Sequence, residues 1–312
     1  MLPGMHLSDL YLLAPSGVVS TGFAEQHGID RRALALAARQ GEVTRLVHGW
    51  YTPETDLTVD GFHRLLSLAM AIAYAGRATP SHYSASLLRG LPVYGVDRSR
   101  AHLTRLSPGK TRKRAGLTLW CPSEGHAEPE EIRLAARSVH LVTTAEGVCQ
   151  TALVAGLQPA LVTADAALRD GMMTVPELAA AAETMTARRG GHGLSRLVER
   201  ADGRHESVGE TRTAYLLHQM GLRFTPQVWI GGGDARYRAD FVLDDAPVVI
   251  EFDGAVKYDG RAALVAEKRR EDRIRAHGMV VVRVTWEDLD DPRRLQARIM
   301  EAISAARYGR PA

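Results

Sequence analysis

The stretch that decides the fold is YRADFVLDDAPVVIEFDGAVKY, residues Tyr237–Tyr258. It reads as two strands, Tyr237–Leu243 and Val248–Asp253, joined by Asp244-Asp245-Ala246-Pro247. Alternation puts Ala239, Phe241 and Leu243 on one face with Val248, Ile250 and Phe252. The other face collects Asp240 and Val242 with Val249, Glu251 and Asp253. A four-residue turn pairs Leu243 with Val248, and counting back sets Asp240 directly opposite Glu251. Cβ atoms of such a pair lie roughly 5 Å apart. Two carboxylates there repel by about 3 kcal/mol at an effective dielectric of about 20, and Asp253 adds to the repulsion. Two readings stay open. The face is a solvated acidic surface on an exposed hairpin, or it holds a divalent metal, because Mg²⁺ takes a few carboxylates plus phosphate oxygens.

Outward from the hairpin, Glu206-Ser207-Val208-Gly209-Glu210 opens a predicted helix, Glu210–Met220, which Gly221 stops. Phe224–Trp229 reads as a strand, Ala262–His277 as a long charged helix, Met279–Thr285 as a Val-rich buried strand and Asp291–Arg307 as a final helix. The order predicts a mixed α/β domain over residues 203–308. Glu210 on its own is also what a helix N-terminus favours. The cations of the charged helix are partly matched by Glu267, Glu271 and Asp272, so a salt-laced surface and a DNA track are both open.

Gly209-Glu210-Thr211, Ala239-Asp240-Phe241, Val249-Ile250-Glu251-Phe252-Asp253-Gly254 and the strand Gly278–Thr285 together resemble the PD-(D/E)XK nuclease superfamily. Within it the pattern is similar to the small domains related to very-short-patch-repair endonucleases. The resemblance implies metal-dependent phosphodiester hydrolysis, with Asp240 and Glu251 as ligands of Mg²⁺ or Mn²⁺ and Glu210 as a further acid. A lysine usually stands two residues after the glutamate. Here that position is Asp253, and Lys257 is the substitute placed to reach back; by itself Lys257 also reads as an exposed turn residue. The implied catalytic set is Glu210, Asp240, Glu251, Asp253 and Lys257.

At the other end of the chain, Thr21–Gln26 reads as a short helix capped by Ser20 or Thr21. Asp30 caps a second helix, Arg31–Gln40, which Gly41 ends, and Val43–Val47 with Trp50–Thr52 forms a hairpin. Helix, turn, helix and hairpin make a winged helix-turn-helix over residues 7–55. Its second helix would enter the major groove with Arg31, Arg32 and Arg39, while Arg45 and His48 on the wing reach backbone or minor groove. Leu34 and Leu36 equally suit plain packing. The stretch from Gly17 to Pro53, with its Gly41-Glu42-Val43 step into the wing and closing Gly49-Trp50-Tyr51, is similar to the N-terminal domain of AbiEi antitoxins of type IV toxin–antitoxin systems.

Residues 56–200 predict a mixed α/β middle region. Helices are expected at Phe62–Gly76 and Ser81–Leu88, strands at Ala101–Arg105 and Leu117–Trp120, and three or four alanine-rich helices after Ser138. Thr174, with Pro176 and Glu177, marks the start of one of them. The two strands are joined by a connection carrying Arg112, Lys113 and Arg114. With Arg98, Arg100, Arg105 and Lys110 it gathers seven cations in seventeen residues. Such a run suits phosphate contact with a steep salt dependence, or a solvated loop. The segment Leu141–Ala152 is similar to the one that follows the winged helix in the antitoxin-like family.

The chain of 312 residues has a formal charge of only +3, so nucleic-acid affinity must come from such local patches. Cys121 and Cys149 lack metal-ligand spacing and read as buried thiols in a reducing cytoplasm. No apolar run reaches the ~20 residues of a membrane span, and the first residues carry no signal-peptide pattern. The expected fold class is therefore α/β (α+β, multidomain). The expected function is that of a cytoplasmic DNA-binding protein with an endonuclease-like C-terminal domain. The alternative is an AbiEi-type antitoxin and transcriptional repressor whose nuclease-fold domain is not catalytic and whose partner is a cognate toxin protein.

Overall fold

The computed structural model describes residues 10–122, 125, 127–134, 137–186, 191–232, 236–254 and 277–308. The fold is mixed α/β throughout, with two compact units: residues 1–167 with 171–199, and residues 168–170 with 200–312. The charged helix expected at Ala262–His277 falls, but for His277, outside the described residues, as does Lys257.

The first unit opens with α1 (Leu10–Leu13), β1 (Val19–Ser20), α2 (Thr21–Gln26), α3 (Arg31–Gln40), β2 (Thr44–Val47) and β3 (Trp50–Thr52), the strands ordered β1-β3-β2. Local chemistry sets the boundaries. Ser20 Oγ accepts from the Phe23 amide at 3.1 Å, Asp30 accepts from the Arg32 amide, and Gly41 ends α3 at φ 77°. Leu34 and Ala37 of α3 are fully buried against Ala24, Ile29, Val43 and Tyr51, which fixes the face that α3 leaves to solvent.

Next come α4 (Val59–Ala73), β4 (Ala78–Pro80), α5 (His82–Leu88), β5 (Ala101–Arg105), β6 (Arg112–Arg114) and β7 (Leu117–Trp120). The sheet order is β4-β5-β7-β6, with β5 and β7 parallel and the other pairs antiparallel. Ala101, Leu103, Leu117 and Leu119 turn one face of this sheet onto Leu66 and Ala69 of α4, and Val18 and Leu46 of the winged helix join the same core. The winged helix and the region after it therefore share one hydrophobic interior. The hairpin β8 (Glu130–Leu134) and β9 (Arg137–Leu141) precedes α6 (Thr144–Ala155), α7 (Leu157–Arg169), α8 (Val175–Met185) and α9 (Leu194–Arg200). The capping box expected at Thr174 and Glu177 is present. Three features depart from the sequence expectation. Thr58 caps α4, starting it earlier than Phe62; β4 and β8 are additional strands; and Arg112–Arg114 is an edge strand, not part of a loop.

In the second unit α10 (Val208–Gln219) is followed by β10 (Phe224–Ile230), β11 (Tyr237–Leu243), β12 (Val248–Phe252) and β13 (Val280–Val284) in that spatial order. The first two pairings are antiparallel and β12–β13 is parallel. Phe241, Leu243, Val248, Ile250, Val282 and Val284 pack with Leu217 of α10 and with Leu295 and Ile299 of the last helix, Pro292–Tyr308. Burying each such side chain stabilises the unit by roughly 1.5–3 kcal/mol. Ala239 is buried in alternation with Phe241 and Leu243 and belongs to a smaller cluster with Ile230 and Val249. A short helix, Trp286–Asp290, not anticipated from sequence, links β13 to the last helix.

Candidate functional site

Burial of Leu34 and Ala37 leaves Arg31, Arg32, Leu36 and Arg39 on the outside of α3. Arg45 and His48 come from the wing, where Arg45 Nη2 and His48 Nδ1 lie 2.9 Å apart. Arg31, Arg32, Arg39, Arg45 and His48 together line a concavity of about 520 Å³ between α3 and the wing. Glu25 of α2 enters it as the opposing charge: Arg31 Nε meets its Oε1 at 2.8 Å, and that hydrogen bond raises the Arg31 pKa. Leu36, at 51% exposure between Arg32 and Arg39, is a member of this surface that pattern reading left ambiguous with core. Its place four residues after Arg32 is the signal that could have assigned it.

The second basic segment is organised by strand alternation. Lys113 pairs with Thr118, whereas Arg112 and Arg114 pair with Leu119 and Leu117, so neighbouring cations leave opposite faces of the edge strand. All three are exposed. Arg98, counted in the same patch from sequence, is withdrawn from it. Its guanidinium bonds the Asp60 carboxylate and the carbonyls of Val96 and Val93, the latter two at 3.1 and 3.0 Å.

Asp240, Glu251 and Asp253 lie toward the end of the β11–β12 hairpin away from its turn. The β11–β12 ladder has Phe241 opposite Ile250 and Val242 opposite Val249, the register that pairing Leu243 with Val248 requires. Continued by one residue, it sets Asp240 against Glu251. At that point the strands part: the Phe252 amide donates to Asp240 Oδ2 at 2.8 Å rather than to a β11 carbonyl. β12 stays in register with β13 through Phe252 and Val284, and the Asp253 amide donates to the Val284 carbonyl at 2.8 Å. The acids thus lie at the carboxyl end of the parallel pair, where the ladder forks. Glu251 is buried at 5% exposure, and its partner across the β12–β13 register is Arg283, a cation on the same face that sequence reading did not single out. Arg298 braces this strand, donating to the Arg283 carbonyl at 2.8 Å.

Gly209 explains how α10 approaches the fork. A Cβ there would lie 2.0 Å from the Phe252 ring, so only glycine lets the first turn of α10 close over β12. Glu210 follows directly, but its oxygens are engaged. Oε1 accepts from Ser207 Oγ at 2.9 Å; Oε2 accepts from the Glu206 amide and from Gln227 Nε2, both at 2.9 Å. Gln227 holds this position with φ 56°, a left-handed conformation that costs a non-glycine residue about 1 kcal/mol or more. Glu210 is therefore part of the N-terminal cap of α10. Among the described residues no group of three or more His, Cys, Asp or Glu side chains is arranged to hold a metal ion. Asp240 and Glu251 remain a pair suited to Mg²⁺, which binds through one or two carboxylates and keeps its waters; Glu210, with its three bonds, does not fit as a ligand. Lys257 lies outside the described residues.

Both cysteines are free, but only Cys149 is buried; burial, with Glu146 beside it, pushes its thiol up to about 12. Cys121 is half-buried, near the Thr111 hydroxyl. Among the described residues no helix is long and apolar enough to cross a membrane.

Fold and sites define a two-unit α/β chain with a basic winged helix in one unit and a forked, carboxylate-bearing mixed sheet in the other. No family model matches the chain. It is similar to an uncharacterized protein of Mycobacterium tuberculosis, found in two strains, at 27% identity over 287 residues, which cover 89% of this chain and 99% of that protein. A likeness of that length runs through both units, so the pairing of the two is shared with these relatives.

Proposed function

We propose that the protein binds DNA through its winged helix and hydrolyses phosphodiester bonds at the forked end of its second sheet. The observation that carries this reading is that β11 leaves β12 at Asp240, which accepts from the Phe252 amide, beside buried Glu251 and its register partner Arg283. Asp240 and Glu251 would hold Mg²⁺ or Mn²⁺. When bound, such an ion supplies a Lewis acid for the phosphate and an acidified water. Arg283, in register with Glu251 across the β12–β13 pair, would supply the cation for a phosphate oxygen. Glu210 keeps the first turn of α10 against β12. On the winged helix, Arg32 and Arg39 face the groove, with Leu36 between them as an apolar contact of the kind that reads a thymine methyl.

The test uses the purified chain with supercoiled plasmid, in Mg²⁺, in Mn²⁺ and in EDTA. Metal-dependent nicking that disappears in Glu251→Ala and Asp240→Ala is the expected result. Absence of any nicking that Glu251→Ala removes sinks the catalytic half. For the DNA-binding half, Arg32→Ala with Arg39→Ala should weaken duplex binding by about tenfold or more and flatten its salt dependence; unchanged binding counts against it.

A specific feature favours a second reading. Glu210 is taken up by the helix cap, and the usual lysine position is Asp253, which suits a repressor of antitoxin type whose second unit binds a cognate toxin or DNA without cutting. A promoter footprint unaffected by Glu251→Ala, with no nicking by the wild-type chain, selects this alternative.

A further inference from the structure

The first unit contains a polar cavity that neither reading uses. While Leu103, Leu117 and Leu119 face the core, the alternate residues of the same sheet, His102, Thr118, Trp120 and Lys113, share the other face. His102 pairs with Thr118 across the parallel β5–β7 ladder, and Lys113 pairs with Thr118 from the edge. With Tyr83 of α5 and Arg100 they line a cavity of about 580 Å³, within the roughly 300–1,000 Å³ typical of small-ligand sites.

Its floor is built rather than incidental. Trp120 Nε1–H can only donate, and it reaches His102 Nδ1 at 3.0 Å. His102 therefore carries its proton on Nε2 and donates it to Tyr83 Oη at 2.7 Å, while the Tyr83 hydroxyl donates to the Asp97 carbonyl at 2.7 Å. Behind this chain the Ser84 hydroxyl bridges His63 Nε2 at 2.8 Å and the His102 amide at 2.9 Å. The His82 ring stacks on the Trp120 indole at 4.7 Å and 23°, and His82 holds that place with φ 54°, in the left-handed region. Such strain persists where the surroundings over-determine it. Arg100 and Lys113 stand at the cavity, and neither forms a salt bridge among the described residues. Asp97 also lines it, with its carboxylate turned to the Ser99 amide at 2.8 Å. Two cations without a salt bridge among the described residues against one engaged carboxylate leave the cavity positive, and Trp120, with Val154 nearby, gives it a partly exposed apolar wall.

We infer that this cavity binds a nucleoside phosphate, with the base against the Trp120 indole and the phosphate between Arg100 and Lys113. Stacking supplies the affinity for a planar ring. The two cations supply charge-assisted bonds to phosphate oxygens. The same chemistry could be presented by a free nucleotide or by the 5′-phosphorylated end of a DNA strand. The site lies entirely in the first unit and stands whether or not the second unit cuts DNA.

The experiment titrates the full chain with deoxyadenosine monophosphate by calorimetry, with adenosine and inorganic phosphate as its two halves. A 5′-phosphorylated DNA hairpin and its 5′-hydroxyl twin form a second arm, run on the full chain carrying Arg32→Ala and Arg39→Ala so that duplex held by the winged helix does not contribute. The expected result is saturable one-site binding of the nucleotide or of the phosphorylated hairpin, at least about tenfold tighter than adenosine, phosphate or the hydroxyl hairpin. Arg100→Ala with Lys113→Ala should weaken it by about tenfold or more, and Trp120→Leu should abolish it, while Arg293→Ala, at an exposed position of the second unit, leaves it unchanged. Nucleotide binding identifies a free ligand, and binding of the phosphorylated hairpin alone identifies a DNA end; both uphold the site. Arg100 and Lys113 are outside the core, so an unchanged circular dichroism spectrum separates lost binding from lost fold. No saturable binding in either arm, or binding equal in Arg100→Ala/Lys113→Ala, overturns the inference.

Discussion

Acidification should weaken the first unit through His102, and the size of the effect follows from the geometry. His102 is 7% exposed, its Nδ1 accepts from Trp120 and its Nε2–H serves Tyr83, so a second ring proton has no acceptor. Burial first, and then the neighbouring His63, lower its pKa from 6.5 to about 3, and Lys113 and Arg100 add to the lowering while Asp97 opposes it. Because the folded value lies below the unfolded one, the unfolded chain binds more protons between them. Stability is then full above about pH 6.5 and is lost as pH falls toward about 3. Integrated from pH 7 to 5, the loss from this group is about 2 kcal/mol, and about 3 kcal/mol by pH 4. His63, also lowered chiefly by burial, acts in the same direction. Asp202 and Asp288 are carboxylates held below their ordinary value of 3.8, so their contributions fall away only under more acid conditions. The assay is urea unfolding followed by Trp fluorescence at pH 7 and pH 5, for the wild type and for His102→Gln. Glutamine keeps one donor and one acceptor but does not titrate. The variant should start less stable and lose about 2 kcal/mol less on acidification. Equal losses in the two proteins would refute the assignment of His102 as a neutral, fully bonded imidazole.

Two further outcomes concern the second unit. Gly209→Ala puts a methyl 2.0–2.3 Å from Phe252 ring atoms, so unfolding free energy should drop by about 1–3 kcal/mol. Combining it with Phe252→Ala should cost less than the sum of the two changes, as measured by a double-mutant cycle. Asp288 accepts from the Thr285 amide and hydroxyl at 3.0 and 3.1 Å and pairs with Arg298 at 2.7 Å. Burial works to raise its pKa, but these partners win and hold it low. Asp288→Ala should therefore destabilise by about 2 kcal/mol near neutrality, and the difference from wild type should shrink as pH falls below about 4; a pH-independent difference would point to lost packing instead.

Features encoded within a few residues were legible from sequence. Ser20, Asp30 and Thr174 cap the helices they were expected to cap, because a short oxygen side chain beside free amides is a local decision. The hairpin register was legible too, since a one-residue slip would move Phe241 and Ile250 out of the core. What was not legible depends on partners distant in the chain. Arg98 is removed from the basic patch by Asp60, thirty-eight positions away. Glu210 is tied down by Gln227 through a left-handed backbone that no pattern announces. The segments around HLT and TLW read simply as two strands; only their parallel pairing brings His102, Thr118 and Trp120 to one face. The expectation of two thiols buried alike failed at Cys121, whose neighbour Thr111 lies on an exposed approach to the edge strand.

The fork at Asp240 is where the two functional readings meet. An antiparallel ladder that continued past Phe241 and Ile250 would press Asp240 and Glu251 together in a closed sheet, and the repulsion would be borne without return. The chain instead turns Asp240 to the Phe252 amide and runs β12 on with β13, so that Glu251 gains Arg283 as its neighbour. That arrangement relieves Asp240 by a backbone hydrogen bond and sets Arg283 next to Glu251 in the strand register. It also keeps two acids and a cation at the carboxyl ends of β12 and β13, the groups that a phosphodiester with its ion would need. A repressor retains the first property and has no use for the second. The decisive comparison is therefore Asp240 against Glu210: substitution of the capping acid disturbs α10 under either reading, whereas substitution of Asp240 matters for chemistry only if the fork is used.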